Sequence, residues 1–115
     1  MLKQSKRIQG RERMSLILST GKERATRFFF LRELENSLHY SRYALVLSRK
    51  LERSAVGRNA KRRQMYEAIR LLEKNEEVPK DFSFDRVVLA RTAALHLDFD
   101  ALYLALKDLL TPIYE

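Results

Sequence analysis

The segment 54–74 constrains the fold most, because it is the longest part of the chain with a helical repeat of apolar residues. Met65, Ala68, Ile69 and Leu72 recur at spacings of three and four, which places them on one side of a helix. Ser54 is a suitable N-cap for it. A helix with a single apolar stripe buries that stripe against another layer of structure. The sequence therefore predicts a long helix docked on a sheet.

Three other segments have the composition and alternation of β-strands. The first, residues 26–34, places Phe28 and Phe30 on one face. The second, residues 42–48, is largely apolar on both faces, which favours a central position in the sheet. The third, residues 84–91, contains a continuous apolar run and is predicted to be buried.

Two shorter helical patterns complete the chain. Residues 10–20 form the first, and Gly21 is well placed to end it. Asp98 is the predicted N-cap of the second, which Pro112 stops. The predicted order is α-β-β-α-β-α, with room for one further strand before the long helix. This order indicates an α+β fold, a sandwich of helices on a single sheet.

Positive charge is concentrated in the first part of the chain. The net charge is +8, of which residues 1–70 contribute +12 and residues 71–115 contribute −4. This balance favours an anionic partner, such as RNA, DNA or an acidic membrane. We expect residues 1–9 to form a basic, frayed arm and residues 10–115 to form one RNA-binding α+β domain. The chain has no Cys, which excludes disulfides and thiolate metal sites and fits a reducing cytosol.

The long helix carries a cationic face beside its apolar stripe. The residues on or beside an arc of about 100° are Arg58, Asn59, Lys61, Arg62, Arg63, Tyr66 and Arg70. The planar fork of Arg suits phosphate, and a Tyr ring offers a stacking surface. Between residues 58 and 70 only Glu67 offsets five Lys and Arg side chains, so most of these cannot be paired within the helix. The alternative is that these charges merely keep an amphipathic helix soluble.

Four motifs, in order, resemble the protein subunit of bacterial ribonuclease P. The helix contains Ala55-Val56-Gly57-Arg58-Asn59-Ala60-Lys61-Arg62-Arg63, where the family pattern is Ala-Val-x-Arg-Asn-Arg-x-Lys-Arg. The other three are Arg27-Phe28-Phe29, the strand end Ser48-Arg49-Lys50, and Asp85-Arg86-Val87-Val88-Leu89-Ala90-Arg91 followed by Leu97-Asp98-Phe99. The resemblance covers residues 11–111 in register, and four ordered motifs are far more specific than one.

The chain departs from the family pattern at a few positions. Ala60 stands where the family has a second Arg, and Arg62 stands where it has Lys. The Gly usual after the Lys-Lys pair is missing, with Glu52 near that point. Met14 and Leu18 occupy the positions of two Phe in the first helix. These changes bear on how strongly the protein binds RNA and stacks on RNA bases, and not on the fold.

The resemblance implies both a fold and a function. The fold is that of the ribonuclease P protein, with a left-handed strand-helix-strand crossover where general rules favour the right-handed form. The implied function is that of the protein subunit of an endoribonuclease whose RNA subunit cleaves with Mg²⁺. The protein alone would have no catalytic residue, metal site or cofactor. The implied partners of a cytoplasmic, monomeric protein are ribonuclease P RNA and precursor tRNA, with no membrane and no small-molecule substrate.

The resemblance also implies where RNA binds. The cationic helix face would pack on the catalytic RNA, and a cleft between the sheet and the helices would hold the 5′ leader of precursor tRNA. The candidates for the leader cleft are Phe28, Phe30, Tyr43, Ser48, Arg49, Lys50 and Arg91. Single-stranded RNA favours a positive groove with aromatic rings. The competing interpretation is that the aromatic residues are core and that Arg91 caps a helix or pairs with Asp98.

Three other classes of function stay open. Another small basic RNA- or DNA-binding protein, such as a ribosomal protein, fits the composition equally well. A protein enzyme is disfavoured, because His39 and His96 are the only histidines and neither belongs to a metal-spaced or nucleophile motif. A membrane-surface protein would need the apolar face of the long helix to be free for lipid.

Overall fold

The computed structural model of the chain describes residues 2–79 and 82–111. Its helices and strands are α1 Arg11–Thr20, β1 Lys22–Ala25, β2 Phe29–Glu35, β3 Arg42–Val46, α2 Ala55–Lys74, β4 Phe84–Ala90 and α3 Phe99–Leu110. Short 3-10 turns cover Gln4–Lys6 and Thr92–His96. The predicted α+β class is confirmed, and β1 is the further strand before the long helix.

The strands form one sheet in the order β1-β2-β4-β3. β2 is antiparallel to both of its neighbours, whereas β3 and β4 are parallel. A parallel pair requires a crossover connection, and α2 lies within it. The left-handed sense of this crossover stays a prediction. In the register, Phe30, Leu89 and Val46 lie side by side across β2, β4 and β3.

A tight turn at residues 26–28 produces the hairpin of β1 and β2. The Thr26 backbone N–H donates to the Phe29 carbonyl at 2.8 Å. The Thr26 hydroxyl accepts from the backbone N–H groups of Phe28 and Phe29 at 3.3 and 3.2 Å. The first predicted strand therefore begins three residues later than expected, at Phe29. The polar segment β1 has no alternation of buried residues, so periodicity could not predict it as a separate strand.

β3 lies at the edge of the sheet, so its predicted central position is wrong. The residues that made both of its faces look buried are indeed buried: Tyr43 and Leu45 belong to one apolar cluster and Ala44 to the other. The outer edge of the strand is covered by the segment before α1, whose Ile8 N–H donates to the Tyr43 carbonyl at 2.9 Å. That segment is therefore docked and not frayed.

The core has two layers on opposite faces of the sheet. The larger cluster packs β2, β3 and β4 against α2 and α3, and it contains the predicted stripe of α2, with Met65, Ala68, Ile69 and Leu72 all 0 % exposed. The smaller cluster joins Ile17 of α1 to the other face. Burying an aliphatic side chain of this size contributes about 1.5–3 kcal/mol, so the larger layer dominates the stability.

The predicted helix ends are confirmed. The Ser54 hydroxyl accepts from the Gly57 N–H at 3.1 Å, and the Asp98 carboxylate accepts from the Ala101 N–H at 2.9 Å. Gly21 ends α1, and its N–H donates to the Ile17 carbonyl at 2.8 Å. A Cβ at Gly21 would lie 2.5 Å from that carbonyl oxygen, so only glycine fits there. Pro112 lies outside the described residues.

Candidate nucleic-acid interface

One end of the sheet gathers most of the predicted RNA-binding segments. Because β3 and β4 are parallel, their carboxyl ends lie at the same end of the sheet. α2 follows β3 in the chain, and its first half therefore begins at this end. The exposed residues Ser48–Lys50 follow β3, and Arg91 follows β4. The predicted interface is thus divided between two chain segments that meet at the carboxyl end of the parallel pair.

Three guanidinium groups in the first half of α2 contact only neutral acceptors. Arg58 donates to two backbone carbonyls before the helix, both at 3.0 Å. Arg62 donates to the Leu45 carbonyl at 3.3 Å and to the Asn59 amide oxygen at 3.0 Å. Arg63 donates to the Asn59 carbonyl at 3.4 Å. Within residues 2–79 and 82–111, none of the three forms an ion pair with a carboxylate, so their positive charge is left for an external anion.

Three other members of the predicted face have different surroundings. The Lys61 ammonium donates to the Leu97 carbonyl at 2.9 Å, and burial lowers its pKa. Arg70 pairs with Glu67, whose pKa this contact lowers to about 2. The Tyr66 ring is 8 % exposed. The structure therefore does not support Tyr66 as a stacking surface, and it gives Lys61 and Arg70 intramolecular partners.

The sheet face opposite α2 and α3 carries an exposed aromatic ring. Phe30 is 39 % exposed, and the Arg91 guanidinium lies over its ring with 4.6 Å from Cζ to the centroid. Arg91 also donates to the Thr26 carbonyl at 2.6 Å. Its backbone begins the 3-10 turn Thr92–His96, but its side chain makes no cap hydrogen bond and does not pair with Asp98. The structure therefore brings an aromatic surface, a cation and the exposed strand end Ser48–Lys50 to one region.

Of the aromatic candidates for the leader cleft, one belongs to the core and a second packs against it. Tyr43 is 0 % exposed, and its hydroxyl donates to the Glu73 carboxylate at 2.9 Å. Burial raises the pKa of Tyr43. Phe28 packs against the larger core cluster, because it lies in the turn before β2 and does not continue the alternation with Phe30. The Tyr43 ring is therefore not available for stacking. Phe28 stays partly exposed, with the Arg27 guanidinium carbon 5.7 Å from its ring centroid, and Phe30 is the most exposed of the three rings.

A buried carboxylate, which sequence reasoning missed, fixes α1 on the sheet. Asp85 is 0 % exposed and accepts from Arg13 at 2.7 Å and from Arg42 at 2.8 and 2.6 Å. Asn36 donates to it at 2.8 Å. Burial by itself would raise the pKa of Asp85, but these hydrogen bonds outweigh it and hold the pKa below its ordinary value. Its position at a strand end gave no sign of this role.

A second buried ion pair lies on the other face of the same strand. Arg86 is 1 % exposed and donates to Glu33 at 3.0 Å and to the Leu110 carbonyl at 2.9 Å. Its guanidinium also lies 4.8 Å from the Phe82 ring centroid. These contacts link β4, β2 and α3. Because its guanidinium is buried among these groups, Arg86 is not available to an external anion.

The structure shows the surroundings of the residues that an enzyme or a membrane-surface protein would use. No three His, Asp or Glu side chains there are placed to hold a metal ion. His39 lies in the turn after β2 and His96 in a 3-10 turn, and neither has a catalytic partner in that part. No helix among the described residues is long and apolar enough to cross a membrane. The apolar stripe of α2 is buried against the sheet and is not free for lipid.

Comparisons with known proteins agree with the resemblance seen in the sequence motifs. The family model Ribonuclease P matches residues 2–114. The ribonuclease P protein component of Thermoanaerobacter sp. (strain X514) is 32% identical over 100 residues, which cover 85% of this chain and 82% of that protein. The protein component of Coxiella burnetii (strain Dugway 5J108-111) is 33% identical over 87 residues, covering 76% and 68%.

Solved structures share the fold. The RNase P protein from Thermotoga maritima superposes with a TM-score of 0.80 at 29% identity, covering 95% of this chain and 98% of that one. An RNase P protein of Staphylococcus aureus superposes with a TM-score of 0.72, covering 91% and 92%, and at 24% identity this likeness concerns the fold alone.

The fold and the site together define a class. This is a small basic α+β protein whose long helix carries, at one end of a single sheet, three arginines held by neutral oxygens, the layout of a polyanion-binding module. Within that class, the chain belongs to the ribonuclease P protein family, whose members are the protein subunits of an endoribonuclease holoenzyme of tRNA processing.

Proposed function

We propose that this protein binds the catalytic RNA of ribonuclease P through the first half of α2. We propose that it binds the 5′ leader of precursor tRNA through the sheet face that carries Phe30. The observation that carries the proposal is the set of three guanidinium groups, on Arg58, Arg62 and Arg63, that have no carboxylate partner among the described residues. Counterion release on neutralising phosphates makes such groups the main source of RNA affinity.

The chemistry of cleavage is assigned to the RNA subunit. Mg²⁺ bound to that RNA would supply the metal-ion catalysis. The protein contributes binding and orientation, which lower the Mg²⁺ concentration needed because cationic side chains share the neutralisation of phosphates. We place a monomeric protein in the cytoplasm, where its two RNA partners are.

The leader would lie across the row formed by Phe30, Leu89 and Val46. Phe30 offers a ring face, and Arg91 lies beside it as a cation that can contact a base or a phosphate. The exposed residues Arg49 and Lys50 follow the same end of the sheet and would contact the leader backbone. Stacking and backbone charge read little sequence, so we expect weak leader sequence preference.

Reconstitution tests the proposal. Precursor tRNA and a bacterial ribonuclease P RNA are mixed at a Mg²⁺ concentration too low for the RNA to act alone, with and without the protein. We expect correct 5′ cleavage only when the protein is added. The variant Arg62→Ala should weaken this stimulation, while Lys74→Ala, at the far exposed end of the same helix, should not. Equal binding to any RNA without stimulation would favour a different RNA-binding function.

A second experiment tests the leader site. Phe30→Ala should weaken binding of precursor tRNA to the holoenzyme by about 1–3 kcal/mol, the range for loss of one stacked base. Binding of mature tRNA, which has no leader, should not change. Leu104→Ala is the control, because Leu104 is an exposed apolar residue of α3 at 62 % exposure. An equal loss for precursor and mature tRNA would contradict a leader contact at Phe30.

A further inference from the structure

The N-terminal segment 2–8 is held on the outer edge of β3. Leu2 is 4 % exposed and belongs to the larger core cluster. Arg7 pairs with Tyr43 in a parallel β-bridge, and the Ile8 N–H donates to the Tyr43 carbonyl at 2.9 Å. The segment thus satisfies an edge strand that would otherwise expose its backbone groups.

An ion pair beneath the segment fixes its position. The Lys6 ammonium lies 3.2 Å from the Glu73 carboxylate of α2 and 5.3 Å from the Tyr40 ring centroid. Glu73 is 8 % exposed and also accepts the Tyr43 hydroxyl at 2.9 Å. Because a carboxylate so deeply buried requires its partners, the Lys6 contact holds the segment against α2 and β3.

Arg7 is consequently brought to the cationic face of α2. Its guanidinium carbon lies 5.7 Å from the ring centroid of Tyr66, which is one helical turn after Arg62. Along the outer edge of β3, the N-terminal segment occupies the Tyr43 carbonyl and Arg62 occupies the Leu45 carbonyl. Two residues of a strand span about 7 Å, so the two arginines approach α2 at neighbouring positions.

The guanidinium of Arg7 has an unused donor. Its Nε atom is buried and has no hydrogen-bond partner among the described residues. The guanidinium lies over the Tyr66 ring, and no carboxylate of the described part pairs with it. Arg7 therefore shares with Arg62 the feature that marks the proposed RNA surface, a guanidinium held in place by groups that leave its charge uncompensated.

We propose that Arg7 is a further RNA-contacting residue, and that the docked N-terminal segment serves to hold Arg7 in the surface that meets the catalytic RNA. This inference rests on the function proposed above and extends its binding site from one helix to two chain segments. RNA bound across Arg7 and Arg62 would also hold the segment on β3, because one RNA chain would contact Arg7 of the segment and Arg62 of α2 together.

The salt dependence of binding to a bacterial ribonuclease P RNA tests this inference. Arg7→Ala should lower the slope of log K against log salt concentration by about 0.7–0.9, the value for one lost phosphate contact. Lys3→Ala removes an equal charge from an exposed position of the same segment and should leave the slope unchanged. Arg7→Lys keeps the charge and should retain most of the slope. Amide hydrogen exchange at Ile8 should become slower when the RNA is added.

The outcomes separate this inference from the proposed function. If Arg62→Ala lowers the slope but Arg7→Ala behaves like Lys3→Ala, the N-terminal segment lies outside the interface and the proposed function stands. If neither arginine variant changes the slope, both proposals fail. If Arg7→Ala unfolds the protein, the salt slope of Arg7→Lys and the amide hydrogen exchange rate at Ile8 replace it. An exchange rate at Ile8 that does not change on RNA binding overturns the inference.

Discussion

Two arginines of the sheet, Arg42 and Arg86, and the three arginines in the first half of α2 have opposite surroundings. Arg42 lies 2.6 Å from the fully buried Asp85, and Arg86 lies 3.0 Å from Glu33 while being almost fully buried itself. The arginines in the first half of α2 donate to backbone carbonyls and to an amide. The first group is neutralised within the fold, and the second is not.

This difference identifies which part of the net charge of +8 is available to a partner. A cation next to a carboxylate contributes little attraction at a distance, because the two fields largely cancel. A cation held by carbonyl oxygens keeps its full charge while its position is fixed, which reduces the entropy lost on binding phosphate. The count of basic residues therefore matters less than the nature of their acceptors.

The largest expected effect comes from removing the carboxylate of Asp85, which Arg13 of α1 and Arg42 of β3 share. Asp85→Ala leaves Arg13 and Arg42 without their buried partner and should lower the free energy of unfolding by about 3–5 kcal/mol. Arg62→Ala breaks bonds to neutral oxygens on a partly exposed side chain and should cost about 1 kcal/mol or less. Urea unfolding measures both, and equal losses would remove the distinction between the two groups.

Acid should reveal the same buried carboxylate. The pKa of Asp85 is lower in the fold than its ordinary value of about 3.9, so its stabilising contribution is complete above that value and is lost as the pH falls through the folded pKa. Urea midpoints between about pH 2 and pH 7 should fall on the acid side in the natural protein and fall less in Asp85→Asn. The same acid slope in both proteins would contradict the assignment.

Glu73 is the internal comparison for this titration. Burial raises the pKa of Glu73, so its protonation on acidification favours the folded state and does not add to the acid loss. Glu73→Gln should therefore leave the acid loss of stability in place, in contrast to Asp85→Asn.

The smallest effect is expected from the arginine of α2 that does have a carboxylate partner. Arg70 is paired with Glu67, so Arg70→Ala should lower the salt slope of RNA binding by well under one unit. Arg62→Ala on the same helix should lower it by about one unit. Binding titrations at several salt concentrations compare the two, and equal losses would mean that a carboxylate partner does not decide which arginines meet RNA.

Much of the fold could be predicted from local patterns. The stripe of α2, its Ser54 cap and the Asp98 cap depend on residues close together in sequence, and all were confirmed. The edge position of β3 could not be predicted, because an edge strand covered by the N-terminal segment has two buried faces, as a central strand does. The turn before β2, which separates Phe28 from Phe30, depends on a hydroxyl contact that periodicity does not register.

The candidate site was predicted less completely than the fold. Helical geometry placed Arg58, Arg62 and Arg63 on one face, but it could not say which cations have partners from elsewhere in the chain. The contact of Lys61 with Leu97 joins residues far apart in sequence. The position of Arg7 depends on the docking of the N-terminal segment, for which the sequence offered only basic composition.

The salt dependence of RNA binding by the double variant Arg62→Ala/Arg63→Ala tests the central claim most directly. Binding to a bacterial ribonuclease P RNA is titrated at several KCl concentrations, with Lys74→Ala as the control and thermal unfolding to verify the fold. If these uncompensated guanidinium groups meet phosphate, the slope of log K against log salt concentration falls by about two units in the double variant and stays unchanged in the control. A folded double variant with the slope of the natural protein would show that this face of α2 meets solvent and not RNA.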